Sequence, residues 1–542
     1  MDEMERLCQE HGVLIEHDGV VRVPFLVKGE LIAPPAITRA EIEAAFAQAE
    51  ADASYVKTAR AQLVRERVID RTTMRYTGDY LYQVLPPLNP LDVIETDFAK
   101  LVRGPYALTV AEILQYLQAI AEALSQGGET AARALELCRR TSEHPDLYLD
   151  GAFAAMQTGL DVQAARYAID NELAVWGMAG SKFLDGWVEL PSTVIPGLVP
   201  LFAQMLPDAA ACQPMPDAKP LLRAMPTRQL HITAGNAPEV PMISALRLIL
   251  TKSAGVVKAP FGTTIPGALL ALAAVSAAPE HPLTQHISLV YWQGGDESIE
   301  SVLFGPGAFD RIVVWGAPDA VASVQSRAVF TKTICFNPRY GISMIGKECF
   351  SADATFLNVA SVAFAAAMDA LIYNQKACTA SQVQYVEGTQ EQVEVFADHL
   401  ARILAQWDTL APQFVPPARR GQIKRMQRGR YARAKWLVNS QEGEFASGVV
   451  VMPDEFNVLD HPMCRLTVVR RVDDLGAVLP YLHQGVSMVG VYPEERRVEL
   501  RDLILARGVS SVLPLGQCER FFPGGPQDGM FVLNQLVDWK NG

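Results

Sequence analysis

The sequence predicts an α/β protein with two larger α/β units, and three observations lead to this fold class. The chain has 542 residues, more than the ~250–300 residues at which a single hydrophobic core stops growing. Hydrophobic residues make up 49% and charged residues 20% of it, as in ordinary globular proteins. From Leu230 onward, short apolar runs alternate with helical stretches. That alternation is typical of parallel sheets covered by helices on both faces.

The order of the segments predicts four regions, namely an N-terminal α+β region at 1–100, a nucleotide-binding unit at 101–332, a catalytic unit at 333–511 and a closing segment at 512–542. A helix is predicted over Arg39–Arg67, where alanines and charges alternate. A helical region follows from Thr109 to Cys138. The closing segment is expected to pack on the nucleotide-binding unit or on a partner subunit.

Each predicted strand of the two larger units is a short apolar run. In the nucleotide-binding unit the strands are predicted at Gln229–Thr233, Gly255–Lys258, Ile287–Trp292 and Arg311–Trp315. The helices between them are predicted at Val240–Leu250, Pro266–Ala278, Ser298–Leu303 and Pro318–Val329. In the catalytic unit the strands are predicted at Gly341–Ile345, Val383–Val386, Thr467–Val472 and Ser487–Val491, with helices at Ala354–Ile372 and Gln390–Trp407.

Charge and cysteine usage exclude several classes of protein. A formal net charge of −13 argues against nucleic-acid binding, which needs a dense field of Lys and Arg. The eight cysteines include no C-x-x-C pair and no zinc-finger spacing, which predicts a reduced, intracellular protein without a metal site. The charged N-terminus lacks the apolar core of a signal peptide, and Ile265–Ala278 is shorter than the roughly 20 residues of a membrane span. We therefore expect a cytoplasmic protein without a transmembrane segment.

Cys378 is the sharpest single candidate for chemistry. It lies in the polar segment Asn374–Thr379, after an alanine-rich predicted helix and before a predicted strand. A thiolate on a loop between two elements can reach an acyl carbon. Position alone favours the alternative of a buried, unreactive cysteine, which is the usual state of a free cysteine.

A second candidate is the loop after the strand that ends near Thr233. It contains Ala234, Gly235 and Asn236, with Pro241 near the start of the next helix. Loops at the carboxyl ends of parallel strands are the usual ligand sites of α/β proteins. The Asn236 amide could donate to an oxyanion, an interaction of about 3–4 kcal/mol in acyl-transfer enzymes. A turn-forming Asn after Gly is equally consistent with the pattern.

Two further strand ends carry candidate cofactor contacts. Lys258, followed by Pro260, emerges from a buried strand and could hold ribose hydroxyls or a phosphate, although a solvated lysine is equally consistent. The strand that ends at Trp315 turns through Gly316 and Ala317 into a predicted helix. The first amides of that helix suit a pyrophosphate. The usual G-x-G-x-x-G fingerprint is missing, so this motif alone is weak.

Taken together and in this order, the motifs resemble the aldehyde dehydrogenase superfamily and, within it, the LuxC-type acyl-CoA reductases. The matching segments are Thr233–Pro241, Val256–Pro260, Val314–Asp319, Gln375–Cys378 and the stretch from Gln527 to Trp539. The resemblance implies a Rossmann-type cofactor domain and a second α/β catalytic domain. It implies that Cys378 attacks a thioester carbonyl while Asn236 and the Cys378 amide hold the oxyanion. It also implies that Gln375 contacts the substrate, and that the loops at Thr233–Gly235, Lys258–Pro260 and Trp315–Ala317 bind the cofactor.

Two departures from the superfamily pattern refine the expected reaction. Aldehyde-oxidising members carry a water-activating glutamate where this chain has Thr333–Arg339, a stretch without a carboxylate. Its absence favours reduction over oxidation, because the acyl-enzyme must be kept from water. Phe261 replaces the glutamate that grips the adenine ribose. NADPH is therefore expected, with Lys258 and Thr263 or Thr264 binding its phosphate, while NADH stays possible.

A basic run stands out in this acidic chain. Between Ala418 and Gln441 the sequence has eight basic residues and no acid, namely Arg419, Arg420, Lys424, Arg425, Arg428, Arg430, Arg433 and Lys435. It could dock the phosphates of CoA, an acyl-carrier domain or an acidic partner, with Arg425 and Arg428 as substrate contacts. A solvated helix face is equally consistent.

The resemblance implies NADPH-dependent reduction of a long-chain fatty acyl-CoA, or of another acyl thioester, to the aldehyde through a cysteine acyl-enzyme. Two alternatives remain: an aldehyde dehydrogenase that works in the oxidative direction, and a non-catalytic subunit of a fatty acid reductase complex. The same resemblance implies acyl-activating or acyl-transferring partner enzymes and a homo-oligomer.

Overall fold

The computed structural model describes residues 2–190, 220–441, 443–520 and 522–542, together with Met205. In these residues it has a mixed α/β architecture with four sheets. Part of the predicted nucleotide-binding region, 191–204 and 206–219, lies outside the described residues.

The N-terminal part combines a five-stranded sheet, of order β1-β2-β7-β6-β5, with a group of helices. The helix predicted over Arg39–Arg67 is wrong beyond Ala47, because β6 pairs with β5 on one side and β7 on the other. Cross-strand pairing with distant residues here outweighs local helix propensity. The elements are α1 Glu3–His11, β1 Glu16–His17, β2 Val20–Arg22, β3 Phe25–Val27, β4 Glu30–Ile32, α2 Arg39–Ala47, β5 Tyr55–Lys57, β6 Gln62–Asp70, β7 Arg75–Leu85, α3 Phe98–Arg103, α4 Val110–Gln126, α5 Gly128–Thr141, α6 Asp146–Thr158, α7 Val162–Glu172, α8 Gly180–Asp185 and β8 Val188–Glu189.

The helical region predicted from Thr109 is two helices. Thr109 and Glu112 form a capping box at the start of α4. The helix ends at Gln126 and is followed by Gly127, where a Cβ atom would lie 2.6 Å from Sδ of Met4. The chain therefore passes close to α1 before α5 begins.

The predicted nucleotide-binding unit, called the cofactor unit below, is built on a seven-stranded sheet of order β14-β13-β10-β11-β12-β3-β4. Strands β10 to β14 are parallel, and the N-terminal hairpin β3–β4 closes one edge. The predicted boundary at 332/333 falls at the start of β14, so this sheet extends to Phe336. Its further elements are β9 Leu221–Met225, β10 Arg228–Ile232, α9 Val240–Leu250, β11 Ala254–Lys258, α10 Thr264–Ala277, β12 Ile287–Val290, α11 Glu297–Leu303, β13 Arg311–Trp315, α12 Pro318–Arg327 and β14 Lys332–Phe336.

The catalytic unit has its own seven-stranded sheet, of order β17-β18-β19-β16-β15-β20-β21. All neighbours in it are parallel except β17 and β18. Separate apolar clusters cover its two faces. Its elements are β15 Tyr340–Ile345, α13 Val359–Leu371, β16 Ser381–Glu387, α14 Gln390–Leu410, α15 Pro417–Arg428, β17 Lys435–Gln441, β18 Glu444–Met452, β19 Leu466–Val472, β20 Val486–Tyr492, α16 Glu494–Leu505 and β21 Ser511–Pro514.

The closing segment packs on the cofactor unit. This is one of the two locations predicted for it, the other being a partner subunit. Helix α17, Val532–Leu536, is followed by strand β22, Asp538–Asn541. Strand β22 pairs antiparallel with β9, which also pairs with β8. Oγ1 of Thr227 donates a hydrogen bond to the carbonyl oxygen of Leu536 at 2.5 Å. In the described ranges, no helix is long and apolar enough to cross a membrane.

Candidate active site

The segment between α13 and β16 is a tight turn that carries Cys378. Tyr373, Asn374 and Gln375 adopt left-handed backbone conformations in succession, with φ of 47°, 53° and 67°. Residues with side chains seldom occupy this region, and such strain persists only where the surroundings enforce it. The turn ends α13 and leads the chain through Cys378 into β16, which begins at Ser381.

A buried polar network holds this turn. Nε of Arg465 donates to Oδ1 of Asn374 at 2.8 Å, and Nη1 of Arg465 donates to Oδ1 of Asp408 at 2.8 Å. The side chains of Arg465 and Asp408 are 0% and 3% exposed. The backbone N–H of Cys464 donates to the carbonyl of Asn374 at 3.2 Å. These bonds connect the turn to β19 and α14, which enforces its shape.

Gln375 belongs to the same buried support. Its side chain is fully buried, and its Nε2 donates to the carbonyl oxygen of Leu466 at 3.2 Å. The same atom lies 3.5 Å from Oγ1 of Thr467. Gln375 therefore supports the turn from inside the catalytic unit, which differs from the substrate contact expected from the sequence.

Cys378 is half-buried, and its carbonyl oxygen accepts a hydrogen bond from Oγ of Ser487. Burial raises the pKa of the Cys378 thiol to about 11; the charge of Asp528 contributes to the rise and Arg339 opposes it. The thiol form therefore dominates at neutral pH. Since the thiolate is the nucleophile, attack requires a group that takes the proton.

The loop after β10 brings a residue of the cofactor unit to the same turn. Nδ2 of Asn236 donates to the carbonyl oxygen of Lys376 at 3.4 Å. Two more contacts cross between the units: Lys376 pairs with Glu143, and the hydroxyl of Tyr373 donates to Oε1 of Glu239 at 2.6 Å. A neutral amide donor of the loop after β10 thus contacts the loop that carries the candidate nucleophile, as an oxyanion-stabilising role would require.

The predicted cofactor loops lie against each other at the carboxyl ends of β10 and β11. Oγ1 of Thr233 donates to the carbonyl of Lys258 at 2.6 Å. A Cβ atom at Gly235 would lie 3.1 Å from the carbonyl oxygen of Phe261, so a larger residue would push the two loops apart by a few tenths of an ångström. The Lys258 ammonium lies 5.4 Å and 5.3 Å from the ring centroids of Tyr291 and Trp292. Burial lowers the pKa of Lys258 to about 8.

The two threonines expected to bind a phosphate are engaged with the protein. Oγ1 of Thr263 donates to the carbonyl of Pro260 at 3.5 Å, and Oγ1 of Thr264 donates to Oε1 of Gln83. Both side chains are buried. Their hydroxyls turn into the protein, so the positive charge for a phosphate comes from Lys258 alone among the predicted residues.

Glu66 is a neighbour of this loop that sequence reasoning missed. A Cβ atom at Gly262 would lie 3.6 Å from Oε1 of Glu66. Oε2 of Glu66 accepts a hydrogen bond from Nε2 of Gln83 at 2.6 Å and one from Thr141 at 3.2 Å. Burial raises the pKa of this carboxyl to about 7. No local signal marks Glu66, because it comes from β6 of the N-terminal sheet.

The third cofactor loop leads from β13 into α12. The ring of Trp315 stacks on Phe336 with centroids 3.9 Å apart, and the Arg247 guanidinium lies 5.0 Å from the Trp315 ring. Gly316 and Ala317 follow, and no side chain caps the start of α12. The first N–H groups of this helix are free of side-chain caps, which fits the pyrophosphate of a dinucleotide.

The basic run predicted from the sequence is largely an exposed surface on and after α15. Within the described residues, Arg420 pairs with Glu444 and Lys435 pairs with Glu394. Arg425 and Arg428 are exposed on the helix, whose other face buries Ile423 and Met426. We name the exposed side chains of Lys424, Arg425, Arg428 and Arg433 the basic surface.

A family comparison agrees with this geometry. A profile of the family described as Acyl-CoA reductase (LuxC) matches residues 221–539. The chain belongs to this family. The resemblance predicted from the motifs is thereby confirmed.

Among its relatives is the long-chain acyl-protein thioester reductase 2 of Photobacterium leiognathi, 26% identical over 329 residues. The long-chain acyl-protein thioester reductase of Photorhabdus laumondii is 27% identical over 338 residues. Each match covers 60% of this chain and 66% of the relative. The chain therefore matches just under two thirds of the length of these relatives.

Solved structures confirm the predicted fold class. Lactaldehyde dehydrogenase from Escherichia coli has a TM-score of 0.65 at 12% identity and covers 96% of this chain and 98% of its own. NADP-dependent glyceraldehyde-3-phosphate dehydrogenase from Bacillus halodurans has a TM-score of 0.64 at 14% identity, with the same coverage. The chain has the aldehyde dehydrogenase fold, with a Rossmann-type cofactor domain.

The loop after β10 contacts the loop of Cys378 through Asn236 and Lys376, and it contacts the loop after β11 through Thr233 and Lys258. Sequence reasoning missed three charged residues: Arg247, which lies near the ring of Trp315, and Arg339 and Asp528, whose charges act on Cys378. Among the described residues, no group of three or more His, Cys, Asp or Glu side chains is placed to hold a metal ion.

Proposed function

We propose that this chain reduces a long-chain fatty acyl thioester to the aldehyde with NADPH, through a thioester on Cys378. One observation carries the proposal: Asn236 of the cofactor unit donates to the nucleophile loop of the catalytic unit at 3.4 Å. A side-chain amide held against the loop of a cysteine is available to an oxyanion in acyl transfer. The names of the relatives, long-chain acyl-protein thioester reductases, point to the same reaction class.

In the proposed reaction Cys378 attacks the acyl carbon and the donor thiol leaves. Nδ2 of Asn236 and the backbone N–H of Cys378 stabilise the oxyanion of each tetrahedral intermediate. The loops after β10, β11 and β13 would hold a reduced nicotinamide dinucleotide, whose chemistry when bound would be hydride transfer to the acyl carbon. The resulting thiohemiacetal releases the aldehyde and regenerates the Cys378 sulfur.

The stretch that replaces the glutamate of aldehyde-oxidising members favours reduction over hydrolysis. This stretch, Thr333–Arg339, includes most of β14, leads to β15 and carries no carboxylate. A water-activating base at this position would hydrolyse the acyl-enzyme to the acid. Its absence protects the acyl group until hydride arrives.

NADPH is the proposed cofactor, with NADH as the alternative. Lys258 supplies a cation beside the loop Pro260–Thr264, and Phe261 stands where a ribose-gripping carboxylate would repel a 2′-phosphate. The start of α12 would hold the pyrophosphate. Titration of protein fluorescence with each dinucleotide distinguishes the two cofactors without turnover.

The acyl donor is proposed to be a CoA thioester or an acyl-protein, approached along the basic surface. Its four cations lie in a chain with a net charge of −13, so they favour a phosphate-bearing or acidic donor. An acyl-protein donor would require an acyl-transferring partner enzyme. We also propose a cytoplasmic location and a homo-oligomer.

The test is NADPH oxidation with a series of acyl-CoA thioesters, with the aldehyde trapped and identified. Cys378→Ala is expected to abolish turnover, because it removes the atom that carries the acyl group. Cys335→Ala, at a half-buried cysteine on β14, is the matched control and should retain activity. Undiminished turnover by Cys378→Ala would sink the covalent mechanism, and oxidation of an aldehyde without reduction of any thioester would sink the proposed direction.

A further inference from the structure

The closing segment inserts a tight turn, Gln527–Met530, between the two units. Gln527 and Met530 exchange backbone hydrogen bonds of 2.9 Å each. Asp528 and Gly529, at the tip, have φ of 49° and 78°. Oε1 of Gln527 accepts a hydrogen bond from Arg247 of α9. Gln527 therefore anchors the turn to the cofactor unit, and the tip residue Asp528 contacts the other unit.

Asp528 at the tip meets the catalytic unit. Its carboxylate lies 3.6 Å from Nε of Arg339, and the two side chains are 11% and 16% exposed. Nη1 of Arg339 also donates to Oγ of Ser510 at 2.7 Å. Arg339 is thus held from two sides, and it orients the carboxylate.

The backbone places Arg339 beside the nucleophile. Arg339 directly precedes β15, and Cys378 precedes the neighbouring parallel strand β16. Where the two strands begin, the N–H of Gly341 donates to the carbonyl of Ala380 at 2.9 Å. Oγ of Ser487 donates to the carbonyl of Cys378 and lies 3.4 Å from the carbonyl oxygen of Tyr340. The Asp528–Arg339 pair therefore lies next to the loop of Cys378.

Electrostatics agree with this placement. The charge of Asp528 raises the pKa of the Cys378 thiol and that of Arg339 lowers it. Burial raises the pKa of Asp528 itself, although Arg339 and Arg247 oppose that rise. Two other carboxylates contact the segment that leads to Cys378, and each already has a partner there. Glu143 pairs with Lys376, and Glu239 accepts a hydrogen bond from the hydroxyl of Tyr373.

We propose that Asp528 is the proton-transfer residue of this site, taking the proton of Cys378 when its sulfur attacks and returning it to the departing thiol. This inference rests on the proposed function. A bond forms between Cys378 Sγ and the acyl carbon, and the bond between that carbon and the donor sulfur breaks. The proton passes from Cys378 to Asp528 and then to the donor sulfur. No electrons are gained or lost in this half-reaction.

Two measurements on Asp528→Asn separate this role from simple electrostatics. Asn tolerates the left-handed conformation of the turn, so the variant should keep its shape. The first measurement is the pH dependence of Cys378 alkylation by iodoacetamide, followed by mass spectrometry. The second is acyl-enzyme formation with palmitoyl-CoA in the absence of nicotinamide. Asp528→Glu restores a carboxylate, and Asp502→Asn, on exposed α16, is the matched control.

The two readouts should move in opposite directions. Removing the negative charge lowers the thiol pKa, so alkylation of Asp528→Asn at neutral pH should become faster. Acyl-enzyme formation should become slower by a factor of about 100 or more, since the proton acceptor is lost. Asp528→Glu should recover part of that rate.

An unshifted alkylation profile in Asp528→Asn would overturn the placement of Asp528 at the thiol. Acyl-enzyme formation as fast as in the wild type, or faster, would overturn the proton-transfer role. A wild-type protein that forms no acyl-enzyme contradicts the proposed function instead. The alkylation profile then decides by itself whether Asp528 faces Cys378.

Discussion

The guanidinium of Arg465 lies entirely inside the protein, where it bonds Asn374 and Asp408 at 2.8 Å each. Three residues before β19, Met463–Arg465, are left-handed with φ of 60°, 56° and 57°, as is the facing turn of Asn374. The two strained segments are joined by hydrogen bonds from Arg465 and Cys464 to Asn374, and the buried ion pair with Asp408 holds the Arg465 guanidinium in place. Because a buried charge without a partner is strongly destabilising, Arg465 and the shape of the nucleophile loop depend on each other.

Glu66 gives a pH-dependent prediction at the same scale. Its pKa rises from 4.5 to about 7 on folding because of burial, so the folded protein binds this proton more tightly than the unfolded chain. The free energy of unfolding should therefore fall between pH ~4.5 and pH ~7, by up to about 3 kcal/mol. Glu66→Gln should remove this loss and be more stable than the wild type at alkaline pH.

The measurement is urea unfolding of Glu66→Gln and wild type on both sides of this pH window. Glu50→Gln, at an exposed position after α2, serves as the control and should unfold like the wild type. An identical stability difference at acid and alkaline pH would contradict the buried, protonated state of Glu66.

Helix α15 shows at the scale of an element how one segment serves two purposes. Ile423 and Met426 on one face join an apolar core of the catalytic unit. The opposite face presents three of the four cations of the basic surface, and no ion pair among the described residues neutralises Arg425 or Arg428. The packing of Ile423 and Met426 therefore fixes the orientation of α15, and with it the position of the exposed cations.

Charge reversal on α15 should weaken binding of the acyl donor. We expect Arg428→Glu to raise KM for an acyl-CoA about fivefold at low salt, with kcat unchanged, because an approaching phosphate loses an attractive charge. Added salt should shrink the difference, since it screens exposed charges. Arg402→Glu, at an exposed residue of α14, is the matched control. An equal rise in KM there would show that the net charge of the protein, and not the basic surface, causes the effect.

At the scale of the whole molecule, the closing segment joins the two units. It leaves the catalytic sheet at β21, brings Asp528 to Arg339 and ends as β22 beside β9. Leu536 of α17 is fully buried, and its carbonyl accepts hydrogen bonds from Thr227 and Gln229. Packing at Leu536 therefore stabilises the far end of the segment that positions Asp528.

Leu536→Ala tests this anchor. We expect it to lower the free energy of unfolding by about 2–5 kcal/mol, because it leaves a cavity in the core of the cofactor unit. The measurement is urea unfolding beside Leu503→Ala, whose side chain is 53% exposed on α16 and should change little. Equal stability of the two variants would argue against a packed closing segment.

The sequence by itself determined the family, the α/β class and the central elements of the cofactor unit. Helix Val240–Leu250 and strand Arg311–Trp315 have the predicted bounds, because apolar periodicity over adjacent residues reports burial directly. The order of the motifs identified Cys378 and Asn236 as candidates, and folding brings the Asn236 side chain into contact with the loop that carries Cys378.

Only the tertiary structure decided which other residues surround Cys378. The sequence placed a helix over Arg39–Arg67, where pairing with β7 produces strand β6 and brings Glu66 to the cofactor loop. It gave no sign that Arg465 supports the nucleophile turn, or that Asp528 meets Arg339. Local patterns report which face of an element is buried, whereas contacts between distant charged residues depend on how the sheets and loops are brought together.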